Sequence, residues 1–259
     1  MTRFNDVLGK IPVIAGVYAN KPYKKMVEEV RILKEEGIDG IYLENVNDFN
    51  DSKEGATQLL NIMGVLSYVN GKKDKIGVNI MSNEDVDGYL SSLKLATQFY
   101  LPFIVNDMIA GKYSVDGKTV ELNNIKLFSS LVENQDSESN TIIIGGILPP
   151  YATLIEGDEK ELIKTARDRS DAILVKMKPK EDSIPIERVL DYKKIDNTHM
   201  SRVPVIVASK INKGNIVDYL GIADGFIIGS ALRDKETNLH VPTIREIVKI
   251  VSDYRSGLR

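Results

Sequence analysis

The sequence predicts a (β/α)8 barrel, a TIM barrel of the ribulose-phosphate-binding type, as a single domain over residues 1–259. Three observations predict it. The chain has 259 residues, the usual span of one such barrel. Eight short runs rich in Val and Ile alternate with longer amphipathic stretches, the pattern of parallel strands joined by crossover helices. The turn after the first run lacks the Gly-rich loop of a dinucleotide-binding open sheet, because Gly16 stands alone before Tyr18-Ala19-Asn20.

The elements follow in order. Phe4, Val7 and Leu8 in the stretch 1–10 predict a short helix that closes the barrel bottom. The strand runs are Pro12–Val17, Ile38–Leu43, Ile76–Ile80, Phe103–Val105, Thr141–Ile144, Ala172–Val175, Val203–Val207 and Ala223–Ile228. They lack polar alternation, so they read as strands buried on both faces. Met26, Val27, Val30 and Leu33 recur at helical spacing, with Asn20 and Pro22 as start signals and Gly37 as a stop. Ile244, Ile247, Val248 and Val251 do the same after Pro242. Gln58–Val69, Val86–Gln98, Ile125–Val132, Leu162–Arg167, Ile186–Tyr192 and Ile216–Leu220 fill the remaining intervals as helices. One insertion interrupts the alternation after strand 4. Lys112–Val115, Asp116-Gly117 and Lys118–Leu122 predict a β-hairpin with a tight turn. It is expected to rise over the C-terminal face, as a lid, a subunit contact or a plain decoration.

Composition narrows the function classes. Hydrophobic residues make up 42% and charged residues 27%, so the chain is too apolar for wholesale disorder. With no Cys there is no disulfide, thiolate metal site or Cys nucleophile. The two His residues, His199 and His240, give little material for a His-rich metal site or a His-based triad. A net charge of −3 leaves no electrostatic footprint for nucleic acid. No stretch reaches membrane-span length, and Met1–Lys10 lacks a signal-peptide core. A cytoplasmic location is expected, with a homo-oligomer as the common default.

Chemistry is expected at the C-terminal ends of the strands. Ala223–Ile228 runs into Gly229-Ser230 and a short helical segment, beside the strand 7 loop Ala208-Ser209-Lys210. Backbone N–H groups, two hydroxyls and one ammonium there suit the phosphate of a small phosphorylated metabolite. The bland reading is a chain turn at Gly229 and a solvated Lys210. Glu44 and Asn45 end strand 2, Asn79 lies in strand 3, and Asn106-Asp107 end strand 4. Glu44 and Asp107 can divide acid and base work if their environments split their pKa values. Alternatively, with Asn79, they can hold Mg²⁺ through oxygen ligands. Lys176 ends strand 6, with Lys178 two residues on. The run Ser170–Lys176 resembles strand 6 of Schiff-base aldolases, which places Lys176 as a carbonyl nucleophile. A Lys snorkelling to solvent or binding phosphate is the bland alternative. His199 is expected at the barrel bottom, His240 at the top rim, and Arg255–Arg259 as a solvated tail.

A family resemblance runs through nearly the whole chain. Lys10–Ile14, Gly40-Ile41-Tyr42-Leu43-Glu44-Asn45, Gly77–Ile80 with Asn83, Asp116-Gly117, Pro204–Val207, Ala223-Asp224-Gly225, Gly229–Leu232 and Val241-Pro242 follow one another as in the BtpA/SgcQ family. The resemblance implies a barrel and little chemistry. One namesake is linked to photosystem I biogenesis and another sits with sugar-phosphate uptake functions. The chain departs from the family at three places. Strand 1 ends Gly16-Val17-Tyr18-Ala19 where the family tends to place a His. Strand 5 ends in Gly145-Gly146 where it tends to carry Lys-His. Ala208-Ser209-Lys210 stands in place of Gly-Ser-Gly.

Three functions stay open on these residues. The first is an enzyme of the lyase, isomerase or glycosyl-bond type. Its phosphate would rest on Ser209, Lys210, Gly229 and Ser230, with the reacting end on Glu44, Asn79, Asp107 and Lys176. Asn45 and Asn106 are further substrate contacts in this reading. The second is a Schiff-base aldolase built on Lys176. The third is a non-catalytic assembly factor, which predicts an apolar exposed patch, with 112–122 as its candidate place.

Overall fold

The computed structural model describes residues 2–46, 53–69, 71–81, 87–115, 117–121, 141–148, 151–178, 181–194, 203–234 and 238–257. The expected helix Ile125–Val132, together with Asn83, Asp116, Leu122, Pro179, Lys180 and His199, lies outside them.

In chain order the first elements are α1 (Arg3–Leu8), β1 (Val13–Tyr18), α2 (Tyr23–Glu35), β2 (Gly40–Glu44), α3 (Lys53–Tyr68), α4 (Gly71–Asp74), β3 (Ile76–Asn79), α5 (Asp87–Phe99) and β4 (Phe103–Asn106). Next come β5 (Lys112–Val115), β6 (Lys118–Glu121), β7 (Ile142–Gly146), β8 (Thr153–Glu156), α6 (Glu159–Arg169), β9 (Ala172–Val175) and α7 (Ile186–Lys194). The chain then runs through β10 (Val205–Ala208), α8 (Ile216–Tyr219), β11 (Gly225–Ile228), a 3-10 turn at Ser230–Leu232 and α9 (Val241–Arg255).

Eight parallel strands close into a barrel in the order β1-β11-β10-β9-β7-β4-β3-β2. Each strand is a continuous apolar run because both of its faces are covered. One set of side chains fills the interior, among them Ile14, Phe103, Ile142, Leu174 and Ile206. The alternate set, including Val13, Ile41, Val78 and Val207, packs outward under the helices. The short helix α1 plugs the bottom. Its Phe4 and Leu8 are fully buried in the interior cluster, and the Thr2 hydroxyl accepts the Asn5 N–H at its start.

A repeated latch closes the barrel bottom. Asp39, Asp171 and Asp224 each precede a strand, and each donates its own N–H to a neighbouring strand's carbonyl, of Val13, Ile143 and Val205 respectively. The carboxylate of each accepts the N–H of that same residue, at 2.8, 2.9 and 2.9 Å. The Asp of Ala223-Asp224-Gly225 therefore sits at the end of the barrel away from the expected site. Arg255, expected as part of a solvated tail, instead pairs with Asp39 and donates to the Ile11 carbonyl.

The hairpin inserted after β4 forms a three-stranded antiparallel sheet with β8, which follows β7. β5 pairs with β6 from Lys112↔Glu121 to Val115↔Lys118. Its other edge takes β8, a strand the sequence reading missed. Tyr113, Val115 and Val120 are buried with Met108 and Ala152 as a small core of their own. The fully buried Tyr113 hydroxyl donates to the Ala110 carbonyl at 2.7 Å and also meets that of Ile147, tying the insert to the ends of β4 and β7. Among the described residues, no helix is long and apolar enough to cross a membrane.

Candidate functional site

Strand register assembles the site. Tyr18 lies opposite Glu44, and Gly16 opposite Tyr42. Glu44 in turn lies opposite Asn79. Side chains two apart on one strand share a face, so Tyr42 and Glu44 project together. The Tyr42 ring is seated by the missing side chain of Gly16, where a Cβ would come 2.8 Å from the hydroxyl.

Asp107 reaches the same place from the turn beyond β4. That turn lies against the bare end of β7. The Ile109 N–H donates to the Gly146 carbonyl at 3.0 Å, and a Cβ on Gly146 would come 2.5 Å from the Asp107 carbonyl oxygen. The Gly145-Gly146 pair, which stands where a Lys-His pair was expected, is what lets this backbone close in.

The result is a cluster of hydrogen bonds and one ion pair. The Asn79 amide donates to Glu44 Oε1 at 2.8 Å and to Asp107 Oδ1 at 3.5 Å. Lys176, just past β9, places its ammonium 2.5 Å from Asp107 Oδ2. The Tyr151 hydroxyl donates to the same oxygen at 3.2 Å. The Tyr42 hydroxyl also hydrogen-bonds Glu44. Burial and the nearby Asp107 charge push the Glu44 carboxyl well above its usual range, partly offset by Lys176 and the Asn79 bond. Burial holds the Tyr42 and Tyr151 phenols well above their usual value and that of Tyr18 up to about 12, with Glu44 and Asp107 adding to each. All three phenols are therefore neutral O–H groups at physiological pH.

These groups floor a cleft of about 410 Å³ at the C-terminal end of the barrel. Its opposite wall is Ser209, Lys210, Gly229 and Ser230. Ser209 and Lys210 have φ of +77° and +53°, a left-handed pair of the kind glycines usually supply. The Lys210 ammonium is 3.6 Å from the exposed Asp182 and donates to the Glu181 carbonyl at 3.3 Å. Glu181 is itself clamped by Arg188 and accepts the Lys178 N–H at 2.7 Å. The space beside Gly229 is already used, because a Cβ there would come 2.5 Å from the Tyr18 hydroxyl. Arg233 stacks on the Tyr18 ring, 5.3 Å from its centroid. It also donates to the Gly16 carbonyl at 3.1 Å and pairs with the buried Glu29 at 2.9 Å. Lys21 reaches Glu29 from the other side at 2.7 Å.

Nine of the ten residues expected at the site from the sequence line this cleft or bond within it, Asn106 being the exception. Two of the ten, Asn45 and Asn106, spend their amides on backbone. Asn45 borders the cleft, but it donates to the Met81 carbonyl at 2.8 Å and accepts the Met81 N–H at 2.7 Å. Asn106 accepts the Met108 N–H at 3.1 Å, closing the turn that presents Asp107. His240 caps the start of α9, its Nδ1 2.7 Å from the Thr243 hydroxyl. The sequence reading missed Tyr18, Tyr42 and Tyr151. Period 2 from Glu44 points to Tyr42, whereas nothing local points to Tyr151. The Mg²⁺ reading fits this arrangement poorly. The Asn79 amide N–H faces both carboxylates, and the Lys176 ammonium occupies the cation position on Asp107.

Solved structures share the barrel. A chain of Mycobacterium tuberculosis tryptophan synthase superposes with a TM-score of 0.64 at 13% identity, covering 95% of both chains. A Thermotoga maritima phosphoribosylanthranilate isomerase gives 0.57 at 11% identity, over 93% of this chain and 98% of that one. A KDPGal structure gives 0.58 at 13%, over 96% and 97%. In sequence, an uncharacterized protein of Pyrococcus abyssi is 26% identical over 96% of this chain and 98% of its own length. An uncharacterized Methanocaldococcus jannaschii protein is 24% identical over 87% and 84%. The BtpA family pattern matches residues 19–253, which take in every side chain of the cleft except Tyr18, and by that match the chain belongs to the BtpA family.

Proposed function

We propose that this barrel is an enzyme that moves protons on a small phosphorylated metabolite, in a lyase or isomerase type of reaction. The observation that carries the reading is the division of labour between two carboxyls in one cleft. Glu44 is held in its acid form by burial and by Asp107. Asp107 is ion-paired to Lys176. Two carboxyl groups in one cleft, one buried and the other held by an ammonium, are the ordinary makings of an acid and a base. In this reading Glu44 gives a proton to a substrate oxygen, and Asp107 takes one from the substrate. Lys176 then faces the oxygen on which negative charge develops.

The wall of Ser209, Lys210, Gly229 and Ser230 supports a phosphate at the other end. Binding there must draw the Lys210 ammonium from Asp182. An ion pair that exposed is worth about 1 kcal/mol or less, so the exchange costs little. Two of the barrel neighbours, by their names, are a synthase and an isomerase acting on a phosphoribosyl compound, which is compatible with this reading. The Schiff-base alternative needs the Lys176 nitrogen free to attack a carbonyl, and that nitrogen lies 2.5 Å from Asp107 Oδ2. The assembly-factor alternative looks for an apolar face on the insert, where Tyr113, Val115 and Val120 are all buried.

Thermal denaturation against inorganic phosphate and a panel of phosphorylated metabolites tests the proposal, with wild type beside Ser230→Asp. A ligand that binds the folded state raises the midpoint, and the added carboxylate should abolish the rise. The ligand so found should exchange a carbon-bound hydrogen for deuterium in wild type and not in Asp107→Asn. No midpoint rise with any compound would overturn the phosphate end. A borohydride-trapped adduct on Lys176 would instead establish the aldolase reading.

A further inference from the structure

Among the described residues, the reacting end of the cleft has no uncompensated positive charge. Its charged side chains are Glu44, Asp107 and Lys176. The Lys176 ammonium is 2.5 Å from Asp107, so each neutralises the other. Glu44 adds nothing positive in either protonation state. The other cation among the described lining residues, Lys210, belongs to the opposite wall, where it meets the exposed Asp182. Around the ion pair stand Tyr18, Tyr42 and Tyr151, each with a neutral hydroxyl.

Resting on the phosphate reading above, we infer that the substrate carries one phosphate and no second acid group, its reacting end being a neutral hydroxyl- or carbonyl-bearing body. Hydroxyls and carbonyls find complementary partners here. Phenol O–H groups donate to them, and the carboxyl oxygens of Asp107 and Glu44 accept from them. A carboxylate finds the reverse. It would lie against Asp107 with Lys176 already taken, and like charges in a buried site repel strongly. The inference therefore separates phosphorylated polyols, aldehydes and ketones, which fit, from phosphorylated acids, which do not.

A matched pair of probes tests it. Glycerol 3-phosphate and 3-phosphoglycerate differ at one end, a hydroxymethyl against a carboxylate. Their dissociation constants for the full chain are measured by calorimetry, with inorganic phosphate as reference. Glycerol 3-phosphate is expected to bind at least about tenfold more tightly than 3-phosphoglycerate. In Asp107→Asn the gap should close, because the repelling charge is gone and Lys176 is freed. In Lys176→Gln it should widen. The second variant serves if the first does not fold. Equal or tighter binding of 3-phosphoglycerate to wild type overturns the inference and leaves the phosphate reading standing. Failure of all three probes, inorganic phosphate included, overturns both.

Discussion

The Lys176 ammonium lies 2.5 Å from Asp107 Oδ2, the oxygen that also accepts the Tyr151 hydroxyl at 3.2 Å. Both members of the ion pair are largely withdrawn from water, with side chains 16% and 6% exposed. Such a pair adds little net stability, but breaking it leaves an uncompensated charge. Lys176→Met should therefore cost about 3 kcal/mol in urea unfolding. Adding Asp107→Asn should recover most of that loss, because the stranded charge goes with it. Simple additivity of the two substitutions would show that the pair is not coupled.

The protonation of Glu44 gives a pH dependence with a definite sign. Its carboxyl is raised in the folded state from an ordinary value near 4.5. The folded protein thus holds a proton that the unfolded chain has released. The stability this contributes is complete below the ordinary carboxylate range and is lost as pH rises through the folded value. Glu44→Gln keeps a neutral side chain of the same shape and carries no such term. Unfolding free energies of both proteins are to be measured between about pH 5 and pH 9. Wild type should lose ground to the variant as pH rises, by at most about 1.4 kcal/mol per pH unit. A pH-independent difference would mean that Glu44 titrates normally.

How much of this was legible beforehand follows from where each residue gets its constraints. The barrel strands were readable because burial on both faces makes each an unbroken apolar run. The strand Thr153–Glu156 was not, being an exposed edge paired to β5 across a long stretch of chain. Glu44, Asn79 and Lys176 were readable as polar residues at strand ends. Asn45 and Asn106 looked the same, yet their amides serve Met81 and Met108 backbone. A polar strand end suits a ligand and a backbone turn equally, and only the fold decides between them. Tyr151 comes to Asp107 from beside the insert, so no local pattern announces it.

The Tyr18 hydroxyl and Gly229 share one space, which makes a rescue experiment possible. Gly229→Ala would place its methyl 2.5 Å from the phenol oxygen but 3.7 Å from the nearest ring carbon. Overpacking of this kind typically costs about 1–3 kcal/mol. Tyr18→Phe deletes the clashing atom and keeps the ring under Arg233. The double variant should regain most of the stability that Gly229→Ala loses, read as a non-additive term in thermal unfolding. If Tyr18→Phe rescues nothing, the close approach of these two residues is wrong.

Gly146 allows no such rescue, and that difference is itself testable. A methyl at Gly146 meets the Asp107 carbonyl oxygen at 2.5 Å and its Cα at 3.2 Å. These are backbone atoms, so no trimmed side chain can make room. The turn that carries Asp107 must move, and the ion pair with Lys176 moves with it. Gly146→Ala should therefore cost about 1–3 kcal/mol in urea unfolding. It should also erase the coupling between Lys176→Met and Asp107→Asn in a repeated double-mutant cycle. The coupling is the sharper readout, since a merely tighter barrel end would lower stability and leave the cycle unchanged. A Gly146→Ala protein that keeps full coupling would show that the bare end of β7 is not what sets Asp107 in the cleft.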